Sequence, residues 1–86
     1  MNNERLYYLV GFVKVSNYRT ITMKTLGTNL KMPSEIAHET NLRTSQVSRV
    51  LGDLKRENLV VCVNENVRKG RLYKCTPEGL EILEHL

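Results

Sequence analysis

The chain has two cysteines and two histidines in 86 residues, and neither pair sits at a metal-ligand spacing. No CxxC or HExxH occurs. Cys62, Cys75, His38 and His85 stand apart, so a zinc site would have to be assembled wholly by the fold, and no metal or cofactor is expected. No glycine-rich phosphate loop or nucleophile motif is present, and Glu35, Glu39 and Glu57 read as helix-surface charges, which argues against an enzyme. A run of about 18 apolar residues is also missing, so no membrane-spanning segment is expected. The stretch "MNNERLYYLVGFVKVS" places polar and charged residues before an interrupted apolar run and offers no small-residue cleavage site, unlike a secretory signal. The expected setting is cytoplasmic and reducing, where the two cysteines act as small hydrophobes on strands. A disulfide between them would need a hairpin that sets them opposite each other.

With 41% hydrophobic residues, the chain has enough apolar surface for one compact domain over residues 1–86, with a modest core and no internal repeat. Its net charge of +4 is unevenly spread. Residues 1–42 hold five basic and three acidic groups, residues 43–74 hold eight and three, and residues 75–86 hold none and three. A basic middle and an acidic final segment fit a polyanionic partner, although many proteins that bind no nucleic acid are equally basic.

Periodicity divides the chain into elements. "ERLYYLVGFVKVS" has apolar residues on both faces at either period; the favoured reading is a helix within residues 1–16, with a strand as the alternative. As a helix it carries one stripe of Leu6, Leu9, Val10 and Val13 and a second of Tyr8, Phe12 and Val15. Two stripes need two covers, one from the domain and one from a second subunit. Ser16 or Asn17 then caps "NYRTITMKTL", with Tyr18, Ile21, Met23 and Leu26 available for the core and "GTN" as the break. "MPSEIAHET" places Pro33 at a first helical position, Glu35 in the first turn, and Ile36 and Ala37 inward.

After a turn at Asn41, Thr44 is expected to cap "TSQVSRVLGDLKREN", in which Val47, Val50, Leu51 and Leu54 recur at helical spacing. Ser45, Arg49, Gly52 and Arg56 point the opposite way. "LVVCV" and "RLYKC", separated by "NENVRKG", read as a β-hairpin over residues 59–75 with a basic tip. Thr76 as cap and Pro77 at the first position open a last helix, residues 77–86, with Leu80, Ile82, Leu83 and Leu86 as its apolar side.

With these elements in this order, "PSEIA", "TSQVSRVLGDL", the "ENLV" step and the "RKGRLYKCTPEG" return strand resemble the winged helix-turn-helix domain of prokaryotic, especially archaeal, transcription regulators akin to the MarR and ArsR groups. The resemblance covers roughly residues 17–86. It implies an α+β, mainly helical fold: a helix-turn-helix over residues 33–57, a two-stranded wing, and flanking N- and C-terminal helices. Met32 stands where the family often has a capping threonine, Asn58 where glycine is usual, and the threonines of "TITMKT" at commonly aliphatic positions. The last departure implies a looser second helix.

The function implied is sequence-specific binding of double-stranded DNA by a homodimeric transcriptional regulator. A helix in the major groove needs small or hydrogen-bonding residues near its start and cations that reach phosphate, and Thr44, Ser45, Gln46, Ser48 and Arg49 supply both. Gln46 suits an adenine edge, Arg49 a guanine edge and Arg43 a phosphate. Arg68, Lys69 and Arg71 in the wing suit the backbone or a minor groove, whereas Lys55 and Arg56 lie too far along the helix to contribute much. The dimer contact is expected at the first helix, with the last helix as a further contributor, and any effector pocket at that interface. The rival reading is a winged-helix protein-interaction module, which a basic, hydroxyl-rich outer face disfavours. RNA binding lacks an aromatic stacking platform.

Overall fold

The computed structural model describes residues 1–86 as α1 (Asn3–Lys14), α2 (Asn17–Leu26), α3 (Pro33–Thr40), α4 (Thr44–Arg56), β1 (Val60–Cys62), β2 (Tyr73–Cys75) and α5 (Pro77–Leu83). The chain is an α+β structure, mostly helical, with one two-stranded antiparallel sheet. The first segment is a helix, and its strand alternative is excluded. No helix is long and apolar enough to cross a membrane.

Local chemistry accounts for most boundaries. The Ser16 side chain accepts from the Arg19 N–H and caps α2. Asn41 ends α3 at φ 62°, in the left-handed region that asparagine tolerates. α4 closes on Asn58, also at φ 62°: the Asn58 N–H reaches the Lys55 carbonyl and the Leu59 N–H the Leu54 carbonyl, both at 2.9 Å, which is the double-bonded end usually built on glycine. Thr76 opens α5 with its hydroxyl working in both directions, accepting from the Gly79 N–H at 3.0 Å and donating to the Asn58 carbonyl at 2.7 Å.

The core joins all five helices and both strands: Leu9 and Val13, Met23 and Leu26, Ile36 and Ala37, the α4 quartet Val47, Val50, Leu51 and Leu54, then Leu59, Val60, Cys75 and Ile82. Each fully buried aliphatic side chain contributes about 1.5–3 kcal/mol. Two helices turn differently from expectation. In α2, Tyr18 and Ile21 are 45% and 40% exposed, and Thr22 takes the buried position instead. In α5, which stops at Leu83 rather than continuing to residue 86, Leu80 is exposed and Gly79 faces inward. A Cβ on Gly79 would lie 2.0 Å from the Leu59 carbonyl oxygen, so only glycine lets α5 sit this close to the chain entering β1.

In the sheet, Val60 pairs with Cys75, Val61 with Lys74 and Cys62 with Tyr73. The cysteines are therefore diagonal, not opposite. Both thiols are free, since a diagonal pair stands roughly 7–8 Å apart, beyond disulfide reach. Burial pushes the Cys75 thiol up to about 11. The far edge of β2 is also used, as Lys31 and Tyr73 exchange backbone hydrogen bonds of 3.0 and 2.8 Å. This one-residue bridge ties the α2–α3 connection to the hairpin. It carries no periodic signature, and the sequence pattern reads through it as a plain break.

α1 buries Leu9 and Val13, while Tyr7, Tyr8 and Val15 are 72%, 54% and 80% exposed. Of the second stripe, only Phe12 is covered: Arg19 lies over its ring at 4.0 Å and donates to its carbonyl at 2.9 Å. Polar contacts hold the base of α1. Arg5 bonds the Glu57 carbonyl (3.3 Å) and the Glu78 carboxylate (3.4 Å), and Asn58 donates to Glu78 at 2.8 Å. The Asn58 amide first, and then Arg5, hold the Glu78 carboxyl below its ordinary value of 4.5.

A depressed carboxyl stabilises the fold above its unfolded pKa, and that contribution disappears as pH falls through the folded value. The stability gap between wild type and Glu78→Gln is accordingly expected to be constant at neutral pH and to close below about pH 4.5. A gap independent of pH in denaturant titrations would reject this. The threonines of α2 divide in role: Thr20 donates to the Val13 carbonyl at 3.1 Å, whereas the Thr22 hydroxyl is fully buried with no partner. Thr22→Val keeps the shape and removes the orphan, and is expected to stabilise the protein by about 1 kcal/mol in thermal or denaturant melts.

Candidate functional site

The α4 quartet turns a polar face outward from the core. Helical geometry begins at Thr44, so Arg43 is the N-cap, and its carbonyl accepts from the Gln46 and Val47 N–H groups at 3.0 and 3.1 Å. Thr44 therefore does not cap. A capping hydroxyl must stand before the first helical residue, and Thr44 is that residue. The Arg43 guanidinium has no acceptor to offer the free N–H groups, so its side chain makes no cap either. Gln46 supplies the other half of the motif: its Oε1 accepts from the Arg43 backbone N–H at 3.0 Å.

Gln46 is consequently held at both ends. Its Nε2 donates to the Tyr18 hydroxyl of α2 at 3.3 Å. Tyr18, Ser45, Gln46, Arg49 and Val50 line an open cleft of about 190 Å³. None of the lining side chains is acidic. Thr44, Ser45, Ser48 and Arg49 are exposed, and none has a hydrogen-bond or ion-pair partner within the protein through its side chain; the same holds for the Arg43 guanidinium.

The other half of α4 is electrically different. Lys55 pairs with Glu65 of the hairpin loop, and Arg56 pairs with Asp53, which Arg19 also approaches at 3.5 Å. The uncompensated cations of α4 and its cap are thus Arg43 and Arg49, both at the N-terminal end.

The connection between β1 and β2 is a braced loop. The Val63 N–H still reaches the Leu72 carbonyl at 2.9 Å, and beyond it side chains replace the ladder. Asn64 accepts from the Leu72 N–H at 2.8 Å and donates to the Gly70 carbonyl at 3.1 Å. Arg71 folds back, with Nε on the Val67 carbonyl at 2.7 Å and one Nη on the Glu65 carbonyl at 3.2 Å. Of the three expected cations, Arg68 and Lys69 project from the loop without partners, whereas Arg71 holds its shape. Lys74, exposed on β2, is a further cation that the sequence reading left out.

The expected site residues thus fall into two patches, the start of α4 and the hairpin loop, with the Lys55–Glu65 pair connecting α4 to that loop. Tyr18 reads as a core residue in the sequence, and nothing there marks it for this cleft. Asn64 goes unmarked too, because an asparagine in a polar connection looks like any turn residue. No cluster of three or more potential metal ligands exists. No protein-family model matches the chain, and no curated protein matches it.

Lysine lacks the planar fork that spans two carbonyls. Arg71→Lys is therefore expected to leave the global melt nearly unchanged and to speed amide hydrogen exchange in residues 64–72 by about tenfold, the equivalent of one lost hydrogen bond or slightly more. Unchanged exchange would show that the loop does not depend on this brace.

Proposed function

We propose that the chain is a winged helix DNA-binding protein and acts as a homodimeric transcriptional regulator, with α4 in the major groove and the hairpin loop as the wing on the flanking backbone. The observation that carries the reading is the asymmetry along α4. Its first two turns present free hydroxyls and unpaired arginines, while the cations of its last turn are matched by carboxylates. A helix that enters a groove with its N-terminal end needs this distribution. Arg49 reads a base edge, with guanine the best chemical match for its fork, and Arg43 holds phosphate. Gln46, tied to Arg43 and Tyr18, steadies the helix start; reading adenine would require it to release those bonds.

Gly52 adds support. It lies on the outer line of α4, with only the tip of Arg56 within 4 Å of a would-be Cβ, so nothing inside the protein calls for the roughly 1 kcal/mol it costs against alanine. Bare backbone there allows close approach from outside. The same reasoning applies to Gly11 in α1, where a Cβ would meet nothing within 4 Å. It is flanked by exposed Tyr7, Tyr8 and Val15, a face that suits a second copy of the chain packed helix to helix. A two-fold dimer built this way reads half-sites about one helical turn apart. The rival protein-interaction reading would call for an acidic or apolar outer face on α4 instead of hydroxyls and arginine.

The test is selection from a random duplex pool followed by salt titration. Arg49→Ala is expected to change sequence preference. Arg68→Ala is expected to weaken all sequences alike and to reduce the slope of log K against log salt by about one. If neither variant alters affinity or preference, the interface is wrong. Removal of α1 is unsuitable for testing the dimer, since it strips Leu9 and Val13 from the core. Tyr7→Glu combined with Val15→Glu leaves the core intact and is expected to give a folded monomer in sedimentation; a persisting dimer would place the contact elsewhere.

A further inference from the structure

The orientation of the Gln46 side chain decides the role of the Tyr18 hydroxyl toward it. A backbone N–H can only donate, so the amide oxygen must face Arg43, as its 3.0 Å contact requires. The amide nitrogen then faces Tyr18 and donates into the phenolic oxygen at 3.3 Å. The Tyr18 hydroxyl is used as an acceptor, and its own hydrogen is given to no acceptor of the protein. Tyr18 lines the same cleft as Ser45 and Arg49, where no carboxylate is present, and the residue is 45% exposed.

A free phenol donor, a free serine hydroxyl and an unpaired guanidinium around one open cleft of about 190 Å³ form a surface matched to a singly charged, oxygen-rich anion. We propose that Tyr18 is a DNA contact supplied by α2, whose hydroxyl donates to a phosphodiester oxygen beside the start of α4, and that Gln46 is the positioning residue that holds the phenol in place. The inference rests on the DNA-binding reading above and assigns to that surface a contact from outside the helix-turn-helix. Because the donor is neutral, it strengthens binding to every sequence without releasing a counterion, so its contribution differs from that of an arginine in its salt dependence.

The experiment is a double-mutant cycle of wild type, Tyr18→Phe, Gln46→Ala and the pair, measured on selected and unrelated duplexes across a salt series, with thermal melts to confirm folding. Tyr18→Phe is expected to weaken binding to all duplexes by about tenfold, with sequence preference and salt slope unchanged. The loss should persist, at several-fold, in the Gln46→Ala background. An unaltered affinity or a changed sequence preference overturns the phosphate contact while wild-type binding leaves the DNA reading standing, and an undiminished tenfold loss in the absence of Gln46 overturns its positioning role. If wild type binds no duplex at any salt concentration, both fall.

Discussion

The burial of one face of α4 is the constraint on which the remainder depends. Val47, Leu51 and Leu54 are fully buried and Val50 nearly so, and they pack against elements drawn from both sides in sequence. Their packing sets the rotation of the helix about its own axis, and with it the direction of every outer side chain. A rotation of one residue, about 100°, would bury Ser48 and Lys55 and expose Val50 and Leu54, at a cost of several kcal/mol on both counts. The outward display of Ser45, Ser48 and Arg49 is thus a consequence of core chemistry.

Polar contacts then control the ends of the elements around that seat. The Asn58 turn, the Thr76 hydroxyl and the absent side chain at Gly79 together bring α5 onto the chain entering β1. Arg5, Glu57 and Glu78 join α1 to the same junction. The Arg5–Glu78 ion pair is partly exposed and worth little on its own, so its effect is on geometry more than on stability. The braced loop between β1 and β2 follows a similar logic: Asn64 and Arg71 satisfy backbone groups that a ten-residue connection would otherwise leave to water. In the DNA-binding reading, Arg68 and Lys69 are then carried on a shaped support.

Much of this was legible residue by residue. The quartet of α4, the caps at Ser16 and Thr76, the prolines at 33 and 77 and the left-handed asparagine at 41 are local signals, and the structure uses each of them. The errors are equally particular. Tyr18 and Ile21 look like core residues because they are apolar, but α2 is so oriented that Thr22 points inward. Leu80 looks buried for the same reason yet is exposed, and the inward Gly79 gives no warning, because a glycine in a helix has no hydrophobic signature. Thr44 was one residue late for a cap.

Spacing and side-chain type along single stretches of chain mark four of the five helices and most of their ends, the buried face of α4, and the concentration of positive charge between residues 43 and 74; α1 alone stays open to a strand reading until the structure shows it helical. Which polar groups remain free depends on how the elements pack in three dimensions. Gln46 is spent on Arg43 and Tyr18, Arg71 on loop carbonyls, and Lys55 and Arg56 on Glu65 and Asp53. One of these partners, Tyr18, lies 28 residues from Gln46 in the chain, and a hydrogen bond between residues so distant leaves no periodic trace in the sequence of either one.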